Sequence, residues 1–229
     1  MNSCGDYISH YRLDAEHFDY FDIKDRSDLA YEHLFHKFVA KLAGKRSSVL
    51  DIGSGSGWTS NIPHRQIFFV DLSHKNLSEL KSDLASPVMA DANHLPFKDA
   101  SHEFVIASEI LEHLNHPEEA AREIWRVLKP GGKAIISTPY KEKIRYSLCI
   151  HCNKVTPMNA HLHSFDRPAL ASLFIRGEKE FFFFGSKLLV LLQLPRLVQR
   201  LPLWVWRIMD YPALRMTDKA QHIILVLQK

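Results

Sequence analysis

The run Val49-Leu-Asp-Ile-Gly-Ser-Gly-Ser-Gly-Trp58 sets a short stretch of strand character against three glycines at alternate positions. An apolar run that closes on a glycine turn is the form of a buried parallel strand emptying into a loop ahead of a helix. Three binding chemistries use such a junction, and the glycine spacing separates them. A dinucleotide fingerprint, G-x-G-x-x-G, would put its third glycine at position 58, where Trp58 stands. A phosphate-gripping P-loop closes on Gly-Lys-Ser or Gly-Lys-Thr, and the chain holds no such triplet. What remains is Gly53, Gly55 and Gly57 behind Asp51. Such a bend lets backbone approach a ligand closely at positive φ, and a helix N-terminus behind it favours a carboxylate.

Outward from the turn, strands and helices alternate. The stretch 65–73, RQIFFVDLS, reads as a second buried strand ending in Asp71, and Leu77, Leu80 and Leu84 give a helix. PVMADA (87–92) is a third strand, and HEFVIASE (102–109) a fourth with Ser108 and Glu109 at its exit. Ala121, Ile124, Trp125 and Leu128 mark a further helix that Lys129-Pro-Gly-Gly132 stops, and KAIISTP (133–139) is a fifth strand. Upstream, Tyr31, Leu34, Phe35, Phe38, Val39 and Leu42 fall on one helical face ended by Gly44. Downstream, LASLFIRG (170–177) suggests a helix, and KEFFFFGSK (179–187) and QHIILVLQK (221–229) a sixth and seventh strand. The greasy stretch between those two is too long for a hairpin loop and reads as an inserted helical pair. The expected fold is α/β, a doubly wound, mostly parallel seven-stranded sheet with helices on both faces and a helical insertion before the last strand.

Composition narrows the function classes. At 229 residues, 46% hydrophobic and 24% charged, the chain suits one ordinary globular domain. A formal charge of +3 is too small to imply nucleic-acid binding without a basic cluster. Three cysteines are no disulfide framework, and the first residues lack the apolar core of a secretory signal, so a reducing cytoplasm is expected. Pro195 and Arg196 interrupt the greasiest stretch, leaving no uncharged apolar run of the ~20 residues needed to span a bilayer.

Asp51-Ile-Gly-Ser-Gly-Ser-Gly57 resembles the first motif of the class I S-adenosylmethionine-dependent methyltransferases. SEILEHL (108–114) is similar to a further segment of that family. RVLKPGGKAIISTP (126–139) resembles the post-core motif of its small-molecule members, typified by ubiquinone and menaquinone biosynthesis enzymes. The likeness covers roughly residues 45–140, in the family's order. It implies a Rossmann-like fold, S-adenosylmethionine as cofactor, and a cofactor site made of Asp51, Gly53, Ser54, Gly55, Gly57, Asp71, Leu72, Asp91, Ala92 and Ser108.

In that site Asp71, at the carboxyl edge of the sheet, is placed to accept two hydrogen bonds from ribose hydroxyls, and it competes with Ser73 to cap the next helix. By resemblance Asp91 belongs to the adenine-contacting motif, its alternative being to hold its own turn, and Leu72 lines the adenine pocket. Asp51 is expected to orient the glycine loop and, as the resemblance implies, to touch the cofactor's amino end rather than do acid–base chemistry. The expected organisation is a single domain over 1–229: an N-terminal helical extension (1–44), a cofactor-binding core (45–140), a Cys/His segment (141–168) and an apolar basic insertion (186–216).

Methyl transfer is an in-line displacement that needs positioning more than a fixed triad. His113, His116, His161, His163 and Asp166 are available near the loops, and none is assigned as a base. Cys149-x-x-Cys152, followed by His161 and His163, offers four ligands to a zinc ion; alternatively the cysteines are small buried hydrophobes and a histidine lines the acceptor pocket. Lys187 to Arg215 holds five basic residues against the single acid Asp210. Gln193, Arg196, Arg200 and Arg207 fall near one face of a continuous helix, with Trp204 and Trp206 among the apolar residues. Such a stripe suits peripheral membrane contact through 187–209, and the alternative is a lid or a dimer surface. Either reading points to a small acceptor that is apolar or lipid-linked. A rival class is a cofactor-binding scaffold without activity, working through the insertion. A nucleic-acid acceptor is disfavoured, because an Asn/Asp-Pro-Pro-aromatic motif is missing where Ser108-Glu-Ile-Leu111 stands.

Overall fold

The computed structural model describes residues 7–17, 26–80, 82–148 and 153–229. Two helices, α1 (Tyr7–His17) and α2 (Arg26–Ala43), precede the sheet. Then come β1 (Ser48–Ile52), β2 (Gln66–Asp71), α3 (His74–Glu79), β3 (Ala85–Met89), β4 (His102–Ser108), α4 (Pro117–Val127) and β5 (Leu128–Pro139). A two-stranded ribbon, β6 (Tyr146–Leu148) with β7 (Val155–Pro157), leads to α5 (Arg167–Leu173) and β8 (Glu178–Ser186). Three helices, α6 (Lys187–Leu191), α7 (Leu194–Val198) and α8 (Leu203–Thr217), precede β9 (Ala220–Gln228).

The seven-stranded sheet runs β3-β2-β1-β4-β5-β9-β8. Its first five strands are parallel, and β9 lies antiparallel between β5 and β8. Strands buried on both faces need apolar residues at both parities, and the core divides accordingly. Leu50, Ile52, Val105 and Ala107 face α4 and α5 with Ile124, Val127 and Leu170. Their neighbours Val49, Phe104 and Ile106 face the opposite side, where α2, α7 and α8 bring Phe35, Phe38, Val198 and the fully buried Trp206.

Local chemistry departs from expectation in three places. The helix after β2 stops at Glu79, so Leu84 is half exposed on the way into β3 rather than part of a helical face. Lys129-Pro-Gly-Gly132 is the opening of β5 and not a separate stop: α4 ends at Val127, Leu128 is already extended, and the Gly131 amide, at φ +76°, donates to the Lys229 carbonyl. The anticipated helical pair is three helices, because Pro195 can only open a helix and Pro202 sits at the start of the next.

The continuous basic face therefore does not form. Gln193 takes a left-handed turn at φ +58°. The Arg207 guanidinium turns inward, 4.6 Å from the Phe38 ring centre, and Trp206 points into the core. The fully buried Asp210 ties α8 to β8 by accepting the amides of Gly185 (3.1 Å) and Ser186 (2.6 Å).

Gly185 sits at φ +77°, and a Cβ there would overlap the Tyr31 ring. Gly185→Ala is expected to destabilise the fold by about 1–3 kcal/mol through strain and overpacking, read as a lowered midpoint in urea unfolding.

Candidate functional site

In a doubly wound sheet, ligands settle beyond the carboxyl ends of the strands where the strand order reverses. Here the order reverses between β1 and β4, and a cavity of about 690 Å³ opens there. Of the residues expected to hold a cofactor, Gly53, Gly55, Asp71, Leu72, Asp91 and Ala92 line this cavity. Asp51, Ser54, Gly57 and Ser108 are not part of its wall.

The glycine loop follows from steric need. Gly53, Gly55 and Gly57 all have positive φ, at +71°, +48° and +69°. A Cβ on Gly53 would lie 2.6 Å from Ile110 Cδ1, whereas one on Gly55 would meet nothing within 4 Å. Gly53 is thus fixed by packing. Asp71 organises the loop from the next strand: its Oδ2 accepts the Gly55 amide at 2.9 Å and its Oδ1 the Ser73 amide at 2.8 Å. Each carboxylate oxygen keeps a further lone pair for a ligand. Burial raises the Asp71 pKa, opposed by the hydrogen bonds from Ser73, Gly55 and Leu72. Ser73 caps α3 with its hydroxyl, which accepts the Asn76 amide at 3.1 Å, so the competition for the cap resolves in its favour. Asp91 holds its own turn through the Asn93 amide at 3.0 Å and also faces the cavity.

Asp51 lies behind the loop, 2% exposed, and accepts the Thr59 hydroxyl at 2.5 Å. It therefore braces the loop from within. Ser108 spends its hydroxyl on Ser137, oxygen to oxygen at 2.9 Å.

The far end of the cavity holds an arrangement that no local sequence pattern discloses. Glu109, at φ +53° just past β4, lines the wall, and its Oε2 lies 3.0 Å from His222 Nε2 on β9. His222 Nδ1 lies 2.5 Å from the Tyr31 hydroxyl on α2. Burial, then the nearby Glu109 and Asp210 charges, push the Tyr31 pKa well up, so the phenol keeps its proton and donates. Tyr31 also donates to the Phe184 carbonyl at 3.4 Å, and His222 donates from Nε2–H to Glu109. Burial alone would raise the Glu109 pKa, but the charge and hydrogen bond of His222 hold it below the ordinary value, leaving an ionised carboxylate facing the cavity. Glu109 is visible in the sequence as a strand-exit acid, whereas its partners lie far away along the chain.

Next to it, Glu112 is 1% exposed, and among the described residues neither carboxylate oxygen has a hydrogen-bond partner. Burial, reinforced by the charge of Glu109, pushes its pKa well up.

Cys149 and Cys152 fall outside the described residues. The histidines expected to join them go separate ways. His161 Nδ1 lies 2.5 Å from Glu142 Oε2, and His163 Nε2 donates to the Leu114 carbonyl at 2.8 Å. Among the described residues the set with mutually close metal-binding atoms is Glu112, His113 and His161, without His163.

Asp51 gives a test of the loop. Burial raises its pKa from 3.8 to about 7, against the pull of the Thr59 hydrogen bond. Below the lower of those two values both folded and unfolded chains hold the proton; as pH climbs toward 7 the unfolded chain releases it and the folded chain does not. Stability is therefore lost as pH rises through this window and is level above it. Relative to Asp51→Asn, which does not titrate, the wild-type urea midpoint should fall between about pH 4.5 and 7.5.

Residues 50–136 match the family described as methyltransferase domain. A ubiquinone/menaquinone biosynthesis C-methyltransferase of Desulfotalea psychrophila is 30% identical over 131 residues, covering 52% of this chain and 53% of that protein. The chain thus spans about half the length of the curated relatives it matches. Among solved structures, an S-adenosylmethionine-dependent methyltransferase from Mesorhizobium loti superposes with a TM-score of 0.56 at 14% identity, over 83% of this chain and 96% of that one. The [4+2]-cyclase SpnF superposes at 0.60 and 19% identity, over 86% and 80%, and like the previous one it shows the fold alone. Glycine loop, strand order and family match agree: residues 50–136 are similar to the methyltransferase domain of the class I S-adenosylmethionine-dependent enzymes, the ubiquinone and menaquinone biosynthesis enzymes among them.

Proposed function

We propose that this protein methylates a small acceptor with an apolar body, using S-adenosylmethionine. The observation that carries the reading is the two-ended cavity: a glycine loop clamped by Asp71 at one end, an ionised Glu109 braced by His222 and Tyr31 at the other. The residues present fit the cofactor. Open space over Gly55 and spare lone pairs on Asp71 make a polar cradle. Gly53 and Gly55 would take the amino-acid end, Asp71 the ribose, and Leu72, Asp91 and Ala92 the base. When bound, the cofactor supplies an electrophilic methyl group on a sulfonium.

The chain's own part is positional and electrostatic. Ile110 and Leu114 give the wall apolar area that excludes water. Glu109 is a group within the wall, beside Ile110 and His113, that can accept a proton from an acceptor hydroxyl or activated carbon. His222 donates to the same carboxylate and so fixes its direction. SpnF, a cyclase, shares this architecture, so the fold hosts cyclisation as well as methyl transfer; a labelled methyl group appearing on the product separates the two.

An acceptor delivered from a lipid surface is favoured by the three helices before β9. Leu191, Leu192, Leu197, Trp204 and Ile208 are exposed there beside Arg196 and Arg200. Among the described residues no helix is long and apolar enough to cross a membrane, so contact would be peripheral.

Four measurements test the reading. Incubation with methyl-labelled S-adenosylmethionine and a fractionated lipid extract should label an extractable product; cofactor binding without transfer would leave the scaffold alternative. Asp71→Asn should weaken S-adenosylhomocysteine binding by about 1–3 kcal/mol in titration calorimetry, while Glu109→Gln lowers kcat by about a hundredfold or more with cofactor affinity kept. The fraction of protein sedimenting with anionic vesicles should drop for Leu197→Glu with Trp204→Glu, and equal sedimentation would exclude that face.

A further inference from the structure

We propose that Glu112, His113 and His161 form a divalent-metal site opening onto the acceptor end of the cavity. Glu112 raises the question. It sits 1% exposed, and among the described residues neither carboxylate oxygen has a hydrogen-bond partner. A buried carboxyl without partners is costly, and a leucine of similar size would fill the space without that cost. What surrounds it are two imidazoles. His113 Nε2 lies 4.0 Å from Glu112 Oε1, and the His113 and His161 rings meet edge to face at 4.7 Å between centres. The metal-binding atoms of all three residues lie within 4.8 Å of one another. Three ligands on one ion, each at about 2.1 Å, stand roughly 3.0–3.6 Å from one another, so the set needs to contract by about an ångström, within reach of side-chain rotation.

The support behind the three residues has the form a metal requires. His161 donates from Nδ1–H to Glu142 at 2.5 Å, which leaves Nε2 with its lone pair for an ion. That histidine is delivered by the backbone: the amides of Leu162 (2.7 Å) and His163 (3.2 Å) both donate to the Glu112 carbonyl, and Asn159 and Ala160 make the preceding turn at φ +58° and +53°. The chain thus places His161 against Glu112 through local backbone contacts, although they are far apart in sequence. Two imidazoles and one carboxylate suit a first-row transition ion such as Mn²⁺ or Zn²⁺ better than Ca²⁺, which asks for six or more oxygens.

His113 and Ala160 belong to the cavity wall, so the ion's remaining positions would face the acceptor. An acceptor carrying two adjacent oxygen atoms would chelate there. That last step rests on the methyltransferase reading; metal binding itself does not.

The test uses the full chain, freed of metal with chelator and titrated with Mn²⁺ alone by electron paramagnetic resonance, and with Co²⁺ by absorption. One equivalent of Mn²⁺ should bind, with affinity at least tenfold lower in Glu112→Gln and His161→Ala and about tenfold lower in Glu142→Gln, the loss expected when the group orienting a ligand is removed. The double variant Cys149→Ser with Cys152→Ser should bind Mn²⁺ as the wild type does, and Co²⁺ should show no thiolate charge-transfer band at this site. Unchanged cofactor affinity by calorimetry shows that each variant is folded, and Glu142→Gln, which keeps all three ligands, reads the site without altering its core. Binding that disappears with the cysteines, or Mn²⁺ affinity indifferent to Glu112 and His161, would overturn the proposal. Loss of Mn²⁺ binding in an otherwise active methyltransferase would leave the proposed function standing, so the two fail separately.

Discussion

The site depends on one carboxylate bridging two strand exits. Asp71 accepts the amide of Gly55 from the loop after β1 and the amide of Ser73 from its own turn. The first bond joins the Gly53 and Ser54 amides, which donate to the Val70 carbonyl, in tying a loop of positive-φ residues to β2; the second starts α3. Because both acceptors belong to one side chain, loop and helix cannot shift independently, and the cavity between them keeps its shape. Charge-assisted hydrogen bonds of this kind are about twice as strong as neutral ones, and here burial keeps water from competing for them.

Around that clamp, acids collect at one edge of the sheet. Asp51, Asp71, Glu109 and Glu112 all sit in low-dielectric surroundings, and each environment resolves the conflict differently. Asp51 is pushed up to about 7 and braces with Thr59. Glu109 is kept ionised by His222. Glu112 has its pKa pushed well above the ordinary value. Carboxyls of one chemistry are thereby separated by their surroundings into a buried brace, an ionised group on the cavity wall and a buried acid.

Much of this is legible in the sequence wherever the cause is local. The strand-turn junction at Val49–Trp58 encodes its own fold, since alternate glycines, an acid before them and apolar residues at both parities admit few other structures. Asp71 can be placed because the end of a strand beside the loop is a geometric consequence of parallel pairing. A single basic face on the insertion is wrong because it carries helical spacing through Pro195 and Pro202, each of which resets the phase. Tyr31, Glu109 and His222 cannot be joined from sequence: their meeting depends on β9 slotting between β5 and β8, a long-range pairing that no local pattern announces. His161 draws attention through its nearness along the chain to two cysteines, whereas its closeness to Glu142 and to Glu112 is made only by the folded backbone.

The placement of His222 has a bearing on how the molecule is assembled during synthesis. The strand exits and glycine turn at one end of the cavity lie between Ile52 and Ala92, whereas the other end needs the strand that carries His222, far later along the chain. A nascent chain would therefore hold the residues of the glycine-loop end well before those of the Glu109 end. Until β9 is made, Glu109 has no imidazole beside it.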